Sequence, residues 1–415
     1  MSSVLVYQSK IKFETVEQAL EQAGFKKSPH AHECLLIWFD SLKEKSYFTK
    51  IKFYHIVNRL PGAQVLCRKV PFGMILNYFK SKFPLYFSFF PKTFIIPHEN
   101  ETFCKYLKTS DKNFLLKPDS GSFGQGIVFL QSCTNYTPIE GDYIAQEYLE
   151  SYLYNEYKFD LRIYVLIVSI FPLQICVFRD GLARFCSEPY KNGTAFSRIT
   201  NVGLNKTHEN VKIEEISQLL SEFFPKLHSL GINTEKIWRE IDSCIILAIL
   251  SSYKYLSEAV KNQCPPLIYN RCFQIFGFDI LLDPELHPHL LEVNFRPSLG
   301  FYRPKERRMK EKMLREALEI AVPVNELQKA FSSREWCWNY QTWFGYLNAN
   351  YEIIEDITIK RKNAIQRSNY EQIWPLSTDV PQLYQEVYQE AMKMKLFDLP
   401  GITIKNNSDC SIAGT

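Results

Sequence analysis

Apolar residues recur every three or four positions across residues 209–227 and 235–262, the spacing of one buried helical face, which predicts two helices there. A third helix is predicted at residues 15–25, "TVEQALEQAGF", where a glycine close to the end is a stop signal. Elsewhere the pattern shortens to strand-length runs, at residues 114–117, 126–130, 143–148, 159–169, 173–178 and 182–186. From Ile51 onward, "FYHIVNRLPGAQVLCRK" and "FFPKTFIIPHENETF" read as short extended pieces joined by proline and glycine turns. No internal repeat is present.

Two strands flank a loop in "NFLLKPDSGSFGQGIVFL". Gly121, Gly124 and Gly126 let backbone N–H groups approach an anion, and Lys117 at the end of the first strand adds a point charge. The spacing matches neither GxxxxGK[ST] nor GxGxxG. A glycine hairpin with a surface lysine is the alternative reading of this stretch.

In "YKFDLRIYVLIV", Lys158, Asp160, Arg162 and Tyr164 fall on one strand face and Phe159, Leu161, Ile163 and Val165 on the other. The charged row is either an ordinary solvated face or the floor of a polar cleft.

The stretch "GFDILLDPELHPHLLEVNF" reads as a hairpin about "DPELHP". Pairing Leu282 with His289 sets Leu281 against Leu290, Ile280 against Leu291 and Asp279 against Glu292. Directly opposed residues have Cβ atoms about 4.5–5.5 Å apart, where like charges destabilise a sheet. Asn294 shares their face, while Phe278, Ile280, Leu291 and Val293 are expected in the core. Three converging oxygen-bearing side chains call for a divalent cation, most simply Mg²⁺, or else for a neutralising lysine or arginine. A second hairpin is predicted in "ICVFRDGLARF", with Asp180-Gly181 as its turn and Arg184 on the return strand, suited to gripping a carboxylate or simply exposed.

Composition adds limits. The 415 residues are 46% hydrophobic and 15% aromatic, enough for two or three subdomains. A formal charge of +4 gives no case for nucleic acid as a partner. The eleven cysteines form no CxxC pair or zinc ladder, and the opening lacks an apolar core with a cleavage site, so a reduced, cytosolic protein is expected. The longest apolar run, "CIILAIL", is short of the roughly 20 residues that span a bilayer and is expected in a buried helix, without membrane insertion. No HRD or DFG triplet marks a protein kinase.

With these residues assembled, the sequence resembles the tubulin–tyrosine ligase-like family. The likeness rests on "LLKPDSGSFGQGI", "IAQEYLESYLYNEYKFDLRIYVLI", "DGLARF" followed by "ITN", and "FGFDILLDPELHPHLLEVNFRPSL", with weaker matches at "HIVNRLPG", "LCRK" and "NYEQIWP". The resemblance implies an α/β (α+β) ATP-grasp fold with the nucleotide site between two subdomains, preceded by a small N-terminal domain. The expected division is residues 1–70, 71–149, 150–330 and a C-terminal helical extension at 331–415.

By position, the resemblance implies nucleotide contacts at Lys117, Phe123, Gly124, Gln146, Glu147, Tyr148, Leu149, Lys158, Phe159, Asp160, Thr200 and Asn201. It makes Asp160, Arg162 and Arg184 the catalytic set, with Arg184, Lys206 and Lys310 holding the incoming amino acid. Asp279, Glu292 and Asn294 match the magnesium ligands that the hairpin suggests. Two departures stand at the site: Gly203 replaces a serine of the family's "LTNYSxNK", and "FRPS" replaces "HSPS", placing Phe295 and Arg296 at the mouth.

The implied chemistry is ATP- and Mg²⁺-dependent ligation of free L-glutamate to glutamate side chains of tubulin tails, through an acyl phosphate. Alternatives are another amino acid such as glycine, another acidic protein, or a silent nucleotide- and microtubule-binding module. The implied location is the cytoplasm and cytoskeleton, extending to the cilium or basal body. The basic segment "FYRPKERRMKEK" either steers an acidic tail or forms a mixed-charge helix face, and the same choice holds for "KRKNAIQR". The aromatic stretch "REWCWNYQTWFGYLN" is expected to pack as a helical brace.

Overall fold

The chain opens on a parallel ribbon. Strands β1 (Leu5–Gln8), β2 (Lys26–Lys27), β3 (Leu36–Trp38) and β4 (Ile56–Val57) lie in the order β2-β1-β3-β4, and α1 (Glu14–Gln22) connects the first two. The expected N-terminal helix is thus α1, which buries Val16, Ala19 and Leu20. The computed structural model describes residues 5–8, 11–40, 48, 51–121, 126–134, 136, 140–209, 211–265, 269–324, 327, 345, 352–376, 380–395, 399, 400 and 402.

From Ile51 onward the extended reading holds in part, at β4 and at one later strand, while helices take up the other regular structure. After β4 come α2 (Gln64–Cys67) and α3 (Lys69–Lys82), then β5 (Thr93–Ile96), followed by α4 (Asn100–Thr109). Pro71 sits in the first turn of α3, where a missing N–H breaks no helical bond. Strands β6 (Phe114–Pro118), β7 (Val128–Leu130) and β8 (Tyr143–Glu147) complete an antiparallel sheet ordered β5-β8-β6-β7. One face buries Phe94, Leu116 and Ala145 against Phe103 and Leu107 of α4; the other packs Ile95 and Ile144 on Val70 of α3.

The largest sheet runs β12-β11-β10-β13-β14. Its members are β10 (Tyr157–Ile170), β11 (Leu173–Phe185), β12 (Ser217–Leu219), β13 (Gln274–Leu282) and β14 (Pro288–Asn294); β9 (Leu153–Tyr154) and β15 (Tyr370–Trp374) pair with β10 and β11 respectively. Short helices α5 (Ala195–Arg198), α6 (Val202–Asn205) and α7 (Ile213–Ile216) fall between β11 and β12 in the chain. Four longer helices follow: α8 (Leu220–Ser229), α9 (Thr234–Gln263), α10 (Pro304–Ala321) and α11 (Glu352–Arg367), before α12 (Gln382–Lys393). Helix α9 carries "CIILAIL" into the core against Phe159, Leu161, Ile163 and Val165. It is long and apolar enough to cross a membrane, but 83% of its apolar window is buried inside the protein. Met309, Met313 and Ala317 of α10 pack with Tyr164, Leu166 and Val168 on the opposite side of β10. Both sides of β10 are therefore covered, and its charged row is not a solvated face.

Three local expectations differ from the structure. Asp180-Gly181 makes no turn: β11 runs straight through it as one strand. The ladder slips from Ile163↔Gly181 to Val165↔Val177, and the Asp180 carboxylate accepts hydrogen bonds from the N–H groups of Gly181 and Ser221. A Cβ at 181 would stand 2.3 Å from the carbonyl oxygen of Arg162, so close strand approach requires glycine there.

Residues 209–227 are not one helix, because Ser217–Leu219 leaves the helical path to pair with β11, giving α7, β12 and α8. In the β13–β14 hairpin, Asp279 does face Glu292, but beyond a bulge Ile280 pairs with Leu290, Leu281 with His289 and Leu282 with Pro288. The bulge moves Leu291 out of the core to the cleft wall and puts Leu290 in its place. The aromatic stretch at 334–348 lies, apart from Gly345, outside the described residues.

Candidate active site

A cleft of about 1050 Å³ opens between the β5-β8-β6-β7 sheet and the large sheet. Eleven lysines and arginines line it against six aspartates and glutamates, whereas the whole chain holds 49 against 45. The cleft thus concentrates the positive charge of a nearly balanced protein and suits an anionic ligand.

One end is built by β6 and β8. Lys117 Nζ donates to Gln146 Oε1 at 2.7 Å, and Gln146 Nε2 donates to Thr93 Oγ1 at 3.1 Å. Lys158, at the start of β10, donates to the Leu149 carbonyl at 3.4 Å and lies 3.9 Å from the centre of the Tyr148 ring. Glu147 and Leu149 line the same end. Burial lowers Lys117 to about 8 and Lys158 to about 8, since a charged ammonium is penalised where water is excluded. Two ammonium groups whose charge burial penalises are well placed to gain from an arriving phosphate.

The centre is a chain of buried charges on adjacent strands. Arg184 on β11 faces Asp160 on β10, with Nε to Oδ1 at 2.5 Å and Nη2 to Oδ2 at 2.7 Å. Arg162 reaches the other way to Asp279 on β13, and Arg184 Nη2 also lies 2.9 Å from Asp279 Oδ2. Burial alone would raise Asp279, but the two guanidiniums outweigh it and hold the carboxyl well below the usual range. The Thr200 hydroxyl donates to Asp160, and Asn201 caps α6 by accepting from the Leu204 N–H at 3.2 Å.

Asn294 ties the acidic pair together. Its Nδ2 lies 3.0 Å from Asp279 Oδ2 and 3.1 Å from Glu292 Oε1, so all three side chains meet at one point. No cluster of three His, Cys, Asp or Glu side chains able to hold a metal occurs among the described residues; this set has two carboxylates and an amide. Its chemistry fits Mg²⁺: hard oxygen donors, with the amide oxygen available once the Asn294 group turns over and with further positions left to water or phosphate. Neutralisation by basic residues, the alternative reading of the hairpin, also occurs: Arg162 and Arg184 contact Asp279, and Lys69 Nζ lies 3.6 Å from Glu292 Oε2.

The amino-acid candidates lie at the far end. Lys310 is buried on α10, 2.7 Å from Glu306, and donates to the Gly300 carbonyl. Lys206 is exposed, 5.7 Å from the Tyr302 ring centre. Gly203, Phe295 and Arg296 line the wall, and Arg59 stacks over Phe295 at 5.4 Å.

Two expected contacts lie outside the described residues, Phe123 and Gly124. Phe159 is not brought into the cleft; its ring is buried against Phe185 and Phe223. Conversely, Lys69, Arg198 and Glu306 line the cleft without having been singled out. Lys69 sits in the quoted "LCRK", and Glu306 one turn before Lys310, so helical spacing could have found the latter. Burial, with Glu292 nearby, raises the Cys67 thiol, which keeps it protonated rather than nucleophilic.

Fold and cleft define a mixed α/β protein with a basic anion site beside a converging carboxylate pair. A profile of the tubulin-tyrosine ligase family matches residues 46–330, and the chain belongs to that family. It is 32% identical over 321 residues to tubulin polyglutamylase ttll6 of Danio rerio, covering 74% of this chain and 41% of that protein. Against human tubulin polyglutamylase TTLL7 it is 32% identical over 331 residues, covering 74% and 37% of the two chains. The probable beta-tubulin polyglutamylase of Tetrahymena thermophila is 30% identical over 305 residues, covering 69% and 25%. The chain therefore spans about two fifths or less of the length of these relatives.

Proposed function

We propose that this protein is an ATP-dependent amide ligase that adds free L-glutamate to glutamate side chains in the acidic tails of tubulin. The observation that carries this reading is the meeting of Asp279, Glu292 and Asn294 at one point in a cleft whose charge favours anions. The names of its relatives, tubulin polyglutamylases, supply the tubulin substrate and the glutamate.

In this reading the fold is an ATP-grasp arrangement, with residues 71–149 and 150–330 as the two subdomains, 1–70 as the N-terminal domain and 331–415 as the extension. Lys117 and Lys158 bind ATP phosphates, and the segment Gln146 to Leu149 lines the base. Asp279, Glu292 and Asn294 would hold Mg²⁺, which supplies charge neutralisation on the phosphates. A tail carboxylate oxygen attacks the γ-phosphorus as the bond to the bridging oxygen of ADP breaks. The amine of free glutamate then attacks the acyl carbon, inorganic phosphate leaves, and the amine proton is released to solvent. Arg162 and Arg184 orient carboxylates, while Lys310 and Lys206 hold the incoming glutamate. Positioning and charge suffice, and no enzyme nucleophile takes part.

The place of action is the cytoplasmic cytoskeleton, with the cilium or basal body as a site within it. A second reading, ligation of a different amino acid such as glycine, is favoured by Gly203 in the wall and by the engagement of Lys310 with Glu306. Intact mass spectrometry of tubulin after incubation with the protein, ATP, magnesium and a mixture of glutamate, glycine and tyrosine separates them. Glutamyl ladders support the main reading, glycyl or tyrosyl increments replace it, and no increment rejects a tubulin ligase.

A further inference from the structure

Arg68 sits at the joint between α2 and α3 and is held from two directions. Its Nε donates to Asp119 Oδ2 at 2.7 Å, Nη2 donates to the same oxygen, and Nη1 donates to the backbone carbonyl of Pro400 at 2.7 Å. Asp119, two residues past Lys117, is buried where the glycine loop begins. Its Oδ1 accepts the N–H of Val70 at 2.8 Å in the first turn of α3, and its own N–H donates to the Asp142 carbonyl at 2.9 Å. The loop base is thereby fastened to the start of a helix, where a carboxylate is electrostatically favoured.

Pro400 lies in a part of the chain beyond residues 46–330, the extent of the family match. That part is seated firmly. Lys254 of α9 donates to the carbonyl of Met392 at 3.0 Å and to that of Met394, and Lys82 of α3 pairs with Glu390 at 3.1 Å. Leu399 is buried in the same core as Val387, Ala391 and Met394.

We propose that the C-terminal segment is a working part of the nucleotide end of the cleft. By accepting a hydrogen bond at Pro400 it orients Arg68, and Arg68 in turn holds Asp119 and the base of the glycine loop beside Lys117. Arg68 and Asp119 are positioning residues. A guanidinium is a rigid planar fork, so fixing it at both ends fixes the direction in which it holds the carboxylate. A loop base held in place beforehand lowers the ordering cost of binding at that end of the cleft and so raises affinity there. The affinity consequence rests on the cleft being an ATP site; the fastening itself does not.

The test uses the full chain and two measurements, MgATP binding by calorimetry and hydrogen exchange across residues 115–130 without nucleotide. Leu399→Asp unseats the segment without altering a residue that lines the cleft, with Leu399→Ala in reserve should the aspartate prevent folding; Arg68→Met cuts the link itself. Both are expected to speed exchange across 115–130 while β10 and α9 stay protected, and to weaken MgATP binding about tenfold. In Leu399→Asp the KM for ATP rises while kcat at saturating ATP holds. Unchanged exchange across 115–130 in both variants overturns the proposal. If the unaltered protein binds no MgATP, the ATP reading fails, and the exchange comparison still decides the fastening.

Discussion

Arg162 and Asp279 face each other on adjacent strands and share two hydrogen bonds, Nε to Oδ1 at 2.5 Å and Nη2 to Oδ2 at 3.0 Å. Arg184 makes a third contact with the same carboxylate, at 2.9 Å. Asp279→Ala would leave two buried guanidiniums short of a counter-charge, a change that costs roughly 3–5 kcal/mol. Lost activity in that variant would mix chemistry with instability. Asp279→Asn keeps the shape and one acceptor oxygen, so a smaller drop in melting temperature is expected than for Asp279→Ala. Its turnover should fall at least about 100-fold, on the scale of removing one preorganised electrostatic group. Wild-type turnover in a folded Asp279→Asn protein would take Asp279 out of the proposed metal set.

Gly277 clears the space in which Arg162 lies. A Cβ at 277 would stand 3.0 Å from Arg162 Cδ, 3.1 Å from its Nε and 3.0 Å from Pro297 Cβ. Gly277→Ala therefore asks Arg162 or Pro297 to give by a few tenths of an ångström, and overpacking of this kind costs roughly 1–3 kcal/mol. A shift of a few tenths of an ångström in a positioning group slows the reaction, so turnover should drop more than MgATP affinity, which the proposed function assigns to Lys117 and Lys158. Turnover and calorimetry on one preparation check this. Equal losses in both would mean general damage to the cleft.

How much could be read from the sequence depended on how local each cause was. The alternation of β10 exposed the row Lys158, Asp160, Arg162, and the pairing of Asp279 with Glu292 followed from simple hairpin counting. That pairing holds although the outer register is one residue off, because the bulge at Leu291 absorbs the slip. The Asp180-Gly181 signal misled because turn chemistry is local. Its strand is kept straight by partners from far along the chain, as Phe178 pairs with Tyr370 and Asp180 binds Ser221. Arg68 and Asp119 are 51 residues apart, and no periodicity links such a pair.

The two buried lysines set a pH dependence. Burial lowers Lys117 and Lys158 each to about 8, and in the proposed function they bind phosphate as protonated ammonium groups. MgATP affinity should fall as pH rises from 7 to 9, by about tenfold for each lysine that must regain a proton. The stability contribution of these groups runs the other way. An unfolded lysine titrates near ~10.4, so between pH 8 and that value the unfolded chain binds more protons and the folded state gains as pH rises. Weaker binding at pH 9 would then not be unfolding caused by these groups. Calorimetry at three pH values, repeated on Lys117→Met with its single remaining step, checks the assignment; a flat profile rejects it.

The basic segment on α10 is less free than its composition suggests. Arg307 lies 2.7 Å from Glu14 and 2.7 Å from Glu311, Lys305 pairs with Glu222 and Lys312 with Glu316. Reversing Arg307 would crowd a third carboxylate against two others and loosen the contact between α1 and α10, so its effect would be read as stability. Arg308 is exposed and offers the cleaner test. If this face steers an acidic tail, Arg308→Glu should raise the apparent KM for tubulin at low salt, flatten its dependence on ionic strength and leave the melting temperature unchanged. An unaltered KM with an unaltered salt slope would reject steering at this position. Capture of the tail would then fall to the cleft itself, where the excess of lysine and arginine is greatest.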